Sequence, residues 1–225
     1  MSKHNAFTCS LTSLTMLIQK EVIGKFLKEK GIAIRGVLHI GAHDCEERSV
    51  YHFLGISDNS VVWVDALGDK VAQAVARGIP NVYQAVISDK DGDTVTFYRT
   101  NNDQSSSILE FGTHSQHYPW CVVTGTSTEQ TTTIDTLMTQ KNLDPSNYDF
   151  WNMDIQGAEL KALIGGENSL KHVKALYLEI NTEEVYRGCA QLPELDAYLS
   201  LRGFRRTELS HVVKEGWGDA LYIRI

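Results

Sequence analysis

Asp154 and Glu159 are the side chains best suited by type to take a proton from a hydroxyl, since a carboxylate within hydrogen-bond reach of an attacking oxygen acts as a general base. His114 and His117, in a polar stretch, offer imidazole as a second choice of base. Both acids also have a plain structural reading, Glu159 as the start of a helix and Asp154 as its cap. A different chemistry is written upstream. Gly41 closes an apolar run, His43 follows it, and Asp65 stands 24 residues beyond Gly41 at the tip of the next run. That is close to the spacing of about 20 at which an acid reaches ribose hydroxyls behind a glycine turn. Ala66 follows Asp65, and Ser88 and Asp89 follow a third run. Ligands of open α/β sheets bind outside the carboxyl ends of the strands, where all of these residues fall.

The turn after Gly41 selects among adenosine ligands. A dinucleotide lays its pyrophosphate on a helix N-terminus, which should then be free of carboxylates. Here that end carries Asp44, Glu46 and Glu47, and one glycine stands where the dinucleotide fingerprint needs three. S-adenosylmethionine has no phosphate and carries a sulfonium and an ammonium, so it suits an acid-rich turn. A nicotinamide-dependent oxidoreductase is the less favoured reading.

These residues need elements to hold them. Gly36 to Ile40 reads as a buried parallel strand, and 61–64 as its neighbour. Between them, Asp44 as N-cap and Glu47 three residues later form a capping-box pattern, with Val50, Phe53 and Leu54 as an apolar face and Gly55 as the stop. Helical spacing of apolar residues over 11–27 predicts a leading helix, and 70–77 a further one. Residues 82–87 read as a third strand, and 94–98 as one with a wet face. Residues 101–107, with Asn102, Gln104, Ser105 and Ser106, form a polar loop that continues as a lid through Trp120. A Thr-rich stretch leads into a helix over 134–141. Strands over 148–155, 173–180, 203–208 and 220–223 and helices from Glu159 and over 191–202 complete a total of about seven strands. The fold class is α/β: a Rossmann-like, mostly parallel sheet with helices on both faces, with 1–35 as an N-terminal helical segment packed on a domain of 36–225.

The 225 residues, 42% of them hydrophobic, suffice for one substantial core. A net charge of −7 with scattered basic residues gives no nucleic-acid stripe. There is no signal peptide and no apolar run long enough for a membrane span, so a cytoplasmic location is expected. Cys9, Cys45, Cys121 and Cys189 show no paired metal or redox spacing, and the histidines at 39, 43, 114 and 117 lack compact zinc spacing. His39, inside its strand, reads as a core histidine. Asp154, Glu179 and Asn181 are hard oxygen donors of the type magnesium takes, but no metal is expected. Tyr118, Trp120 and Trp217 are candidates to stack on an acceptor ring.

Several motifs resemble the FkbM-like family of S-adenosylmethionine-dependent methyltransferases, from about Val37 to the end. Val37 Leu38 His39 Ile40 Gly41 Ala42 His43 looks like the family's cofactor turn, and Trp63 Val64 Asp65 Ala66 like its second strand with the ribose-binding acid. Ala85 Val86 Ile87 Ser88 Asp89 is similar to the adenine-flanking segment. Residues 101–107 resemble a loop near the reacting centre, Met153 Asp154 Ile155 Gln156 Gly157 Ala158 Glu159 the Asp, Gly and Glu signature, and Glu184 Val185 Tyr186 Arg187 Gly188 Cys189 Ala190 one branch of the family. The resemblance implies a seven-stranded methyltransferase class I fold and O-methylation of a sugar, polysaccharide unit or similar natural product. It departs in two places: Asp65 stands where Glu is more usual, and Gln156 replaces the usual acid. A methyltransferase-fold binding module without turnover is the alternative.

Overall fold

A mostly apolar strand with β-branched residues needs cover on both faces, and Val37–Ile40 (β1), His39 included, is buried at all four positions. The computed structural model describes residues 16–210 and 215–225. Helix α1 (Lys20–Glu29) precedes β1, and α2 (Arg48–Phe53), β2 (Val61–Asp65), α3 (Gly68–Ala76) and β3 (Val82–Gln84) follow it. Next come β4 (Val86–Ile87), β5 (Thr94–Thr100), the short α4 (His114–His117) and β6 (Val123–Thr132). The chain continues through α5 (Ile134–Gln140), β7 (Phe150–Met153), α6 (Glu159–Gly165), β8 (Ala175–Asn181), α7 (Leu192–Ser200), β9 (Phe204–Leu209) and β10 (Trp217–Arg224).

Seven strands form one sheet in the order β3-β2-β1-β7-β8-β10-β9. The pairs from β3 through β8 are parallel, and β10 runs antiparallel between β8 and β9. The strand order reverses beside β1, between β1 and β7, which is where an open α/β sheet forms its ligand crevice. Alternate residues feed two cores. Leu38, Ile40, Trp151, Met153, Leu176 and Leu178 pack with Ile134, Leu163 and Leu195 of α5, α6 and α7. Val37, Trp63, Phe150 and Tyr177 pack on the other face with Ile23 and Leu27 of α1, Tyr51 of α2 and Ala74 of α3. The sheet is thus Rossmann-like, with helices on both faces.

Four expectations are corrected. The described residues hold ten strands, because β4, β5 and β6 form a separate three-stranded sheet. The run 82–87 is split between the two sheets, since Ala85 still donates to Asp65 O while Val86 and Ile87 turn to pair with Thr131 and Thr132. The Thr-rich stretch is itself a strand, antiparallel to β5. Asp44 is not a cap: α2 begins at Arg48, after His43 and Cys45 take positive φ of 38° and 56°, and Phe53 faces solvent. Residues 11–15 of the expected leading helix, and Cys9, lie outside the described residues.

Candidate functional site

One face of the sheet carries two polar rows at the carboxyl ends of its strands. Register places Trp63, His39, Asn152 and Tyr177 side by side. Two residues further along each strand, on the same face, stand Asp65, Gly41, Asp154 and Glu179, and Asp219 of β10 pairs with Glu179. The lower row is buried. Tyr51 of α2 links His39 Nδ1 and Asn152 Nδ2, each at 2.9 Å, and burial lowers the His39 pKa to about 3, so the imidazole is neutral, as a core histidine should be.

The upper row is open chemistry. Gly41 has φ +88°, and a Cβ there would lie 1.8 Å from the Asp154 carbonyl oxygen, so the turn approaches β7 as only glycine permits. Asp65 accepts from His43 N and Leu67 N, both at 2.7 Å, and so fixes the turn. Burial raises its pKa against the pull of those two amides. Each of its oxygens keeps a second lone pair for a ligand. His43 Nδ1 lies 3.3 Å from Glu46 and 3.4 Å from Asp44, which outweigh burial and raise its pKa. These three are the group whose ligand atoms lie within 4.8 Å of one another among the described residues, and Lys70 Nζ pairs with Asp44 at 3.2 Å.

Asp154 and Glu159 have separated roles. Asp154 is exposed, while Glu159 is 2% exposed and turns its Oε1 inward to Ile155 N at 2.9 Å and Gly157 N at 3.3 Å. Between them Gln156, at φ +56°, is a hub. Its Nε2 donates to Asp154 Oδ1 at 2.6 Å and to Glu179 Oε2, its Oε1 accepts from the Tyr186 hydroxyl at 2.5 Å, and its carbonyl accepts from Ser107 Oγ at 2.8 Å. Burial, then the charge of Asp154, pushes the Glu179 carboxyl well above the ordinary carboxylate range. At the end of the row Asp219 accepts from Leu17 N at 2.7 Å and from the Tyr177 hydroxyl.

The remaining expected residues divide. In the polar loop, Arg99 forks onto Asp69 at 2.7 Å and Asp103 at 3.1 Å, and this ties the loop to α3. Asn102 donates to Ser105 Oγ at 3.1 Å, Ser106 Oγ accepts from Thr100 N at 3.2 Å, and Ser105 is buried, so these three build the loop. Gln104 alone of the four is exposed. Ser88 is buried after β4 and donates to Asp89 at 2.9 Å, while Lys161 lies 3.6 Å from Asp89; burial raises the Asp89 carboxyl, but these two hold it below its ordinary range. Ala66 O accepts from Gln84 at 3.2 Å. Asp219, Tyr186 and Tyr51 were not foreseen. The signal for Asp219 was an acid embedded in the apolar last strand.

Glu159 and Asp219 make stability fall with rising pH. Burial pushes each to about 7, from ordinary values of 4.5 and 3.8. The folded chain therefore holds more protons than the unfolded chain between those values, and stability present below about pH 4 is lost as pH rises toward 7. Glu159→Gln removes one of the two groups. The drop in stability between pH 5 and pH 8, read from urea unfolding, should shrink by roughly 2 kcal/mol in that variant. Coincident slopes for the two proteins would show that Glu159 does not titrate with folding.

The glycine turn, the acid at the tip of β2 and the acid row coincide with a match to the methyltransferase FkbM domain over residues 39–206. The chain belongs to the FkbM methyltransferase family. The 2-O-methyltransferase NoeI of Sinorhizobium fredii (strain NBRC 101917 / NGR234) is 31% identical over 127 residues, covering 53% of this chain and 50% of that protein. The match thus spans about half the length of that curated relative. Two solved structures overlap most of the chain at low similarity. The magnesium protoporphyrin IX methyltransferase of Synechocystis PCC 6803 with bound S-adenosylmethionine has TM-score 0.42 and 10% identity over 92% of this chain and 78% of that one. A methyltransferase of Aquifex aeolicus has TM-score 0.40 and 14% identity over 93% and 91%.

S-adenosylmethionine is the cofactor of an FkbM domain, and the residues present fit it. The Gly41 turn lies tight against the β7 backbone, Asp65 at the tip of β2 has lone pairs left beyond its two amide bonds, and the acid row would complement a cation.

Proposed function

We propose that this protein moves a methyl group from S-adenosylmethionine to a hydroxyl of a sugar, polysaccharide unit or similar natural product. Gly41, His43, Asp65, Ala66, Ser88 and Asp89 line the cofactor half of the site in this reading. When bound, the cofactor supplies an activated methyl on a sulfonium, so what remains for the protein is alignment and proton removal. The observation that carries the reading is the asymmetry of the two acids. Asp154 is exposed at the strand end and takes the hydroxyl proton, while buried Glu159 holds the turn beneath it as a positioning residue. Gln156 Nε2 donates to both Asp154 and Glu179 and so holds the two acids of the crowded row in place. An acidic site suits a neutral acceptor, and the 2-O-methyltransferase relative supports oxygen as the methylated atom.

The test is calorimetric titration with S-adenosylhomocysteine and, separately, NADH. Micromolar affinity for the first and none for the second is expected. Asp65→Ala should weaken S-adenosylhomocysteine on the order of 100-fold, since hydrogen bonds to a charged partner contribute about 1.5–3 kcal/mol. Unchanged affinity in that variant would refute the site map, and binding of neither ligand would favour a module without turnover.

A further inference from the structure

Two polar side chains in the cap over the strand ends are buried with no hydrogen-bond partner among the described residues: both amide atoms of Asn181, and Nδ1 of His114. Buried amides and imidazoles in folded proteins are nearly always paired, so unpaired ones at the strand ends point to something that binds there. Asn181 ends β8, is 0% exposed, and faces the same side of the sheet as Glu179 two residues earlier. Opposite it on β10 is Trp217, whose Nε1 donates to the Tyr118 hydroxyl at 3.0 Å. The Tyr118 ring lies 5.1 Å from the His114 ring, which stacks on Phe111 at 4.0 Å and lies 5.5 Å from Tyr186. Tyr186 is the residue that holds Gln156. The open groups thus belong to one aromatic-walled cap that begins where the Asp154 and Glu179 pair ends.

We propose that this cap is the acceptor subsite, where Asn181 and His114 read the hydroxyls of a neutral, hydroxylated ring held among Tyr118, Tyr186 and Trp217. The proposal rests on the O-methyltransferase reading and adds the residues that select the acceptor. The chemistry of the open groups chooses the ligand. A primary amide both donates and accepts, as does a neutral imidazole, and this matches hydroxyls, which do the same. Neither group brings a charge. Burial, with His117 nearby, lowers the His114 pKa to about 4, and the cap's own acid, Glu183, is bonded to Thr113 and His117. A phosphorylated or carboxylated ring would meet no counter-charge at the open atoms, whereas a sugar-like ring meets flat aromatic walls for its C–H face and polar atoms for its edge.

Asn181→Leu keeps the volume and removes both open atoms. Wild type and variant, each saturated with S-adenosylhomocysteine, are titrated with methyl glycosides of neutral hexoses and pentoses, and saturation transfer from protein aromatic protons to sugar C–H protons is read. At least one glycoside should bind wild type, and its affinity should fall tenfold or more in Asn181→Leu, with S-adenosylhomocysteine affinity unchanged and the melting temperature not lowered. His114→Phe, which keeps a stacked ring, should show the same loss and decides the matter if Asn181→Leu does not fold. Equal glycoside binding in wild type and variants overturns the subsite, as does absence of glycoside binding by the S-adenosylhomocysteine-loaded wild type. Failure of wild type to bind S-adenosylhomocysteine overturns the underlying reading and the subsite with it.

Discussion

Gly41→Ala is expected to abolish measurable S-adenosylhomocysteine binding and to lower the melting temperature by about 10 °C. Two costs add at this position. A side chain at φ +88° costs about 1–2 kcal/mol. The new Cβ would also overlap the Asp154 carbonyl, 1.8 Å away, and both atoms belong to backbone held by strand hydrogen bonds, so relief requires moving β1 or β7 at about 1–3 kcal/mol. Each kcal/mol moves the melting temperature by about 2–4 °C in a domain of this size. Binding suffers more than stability, because the displaced turn also carries His43 N, the amide that Asp65 accepts. Calorimetry and thermal unfolding on the same sample separate the two effects; intact binding would mean that the turn is not the cofactor's seat.

The second large effect is kinetic. Asp154→Asn should cut methyl transfer by roughly 10²–10⁴, the usual contribution of a general base, with S-adenosylhomocysteine affinity within a few-fold of wild type. Asparagine keeps the size of the side chain and still accepts from Gln156 Nε2, now at 2.6 Å, so the turn stays and only basicity goes. Glu159→Gln, by contrast, should act mainly through stability, because its carboxyl faces backbone amides. Transfer of labelled methyl to a glycoside that binds wild type measures both variants. If Asp154→Asn kept its rate, the proton acceptor would have to be sought elsewhere in the site.

How much of this was legible in the sequence depends on how local the cause is. β1, β2, β7 and β8 are mostly apolar runs whose composition favours burial on both faces, and each lies where expected. Gly41 as a turn and Asp65 at a strand tip were legible because each directly follows an apolar run. Asp44 was misread since its charge is better matched by Lys70, 26 positions on in the chain, than by a helix end, and local rules cannot see that partner. β6 was missed because threonine runs alternate in nothing a core can register: its first six residues are exposed, and only β5 and β4 make it a strand. Glu159 and Asp154 looked equivalent as types; the inward turn of one and the exposure of the other follow from the left-handed backbone at Gln156, which a sequence does not display. Tyr186 and Asp219 act through contacts that span 30 and 202 positions, so no motif, not even the one that holds Tyr186, displays what they do.

The position of β10 bears on how the site comes into being on the ribosome. β10 inserts antiparallel between β8 and β9 and brings Asp219, to which Leu17 N then bonds across 202 positions. A nascent chain that has emerged only through β9 already holds the glycine turn, Asp65 and Asp154, yet β9 has no strand to pair with in that sheet, because its one neighbour is β10. The proposed cofactor half can thus be assembled before β10 is made, whereas the wall that carries Asp219 and Trp217 must wait for residues 217–224 to leave the exit tunnel. Completion of the acid row is therefore tied to the synthesis of β10, and a pause ahead of β10 would leave β8 as an exposed hydrophobic edge for chaperones to shield.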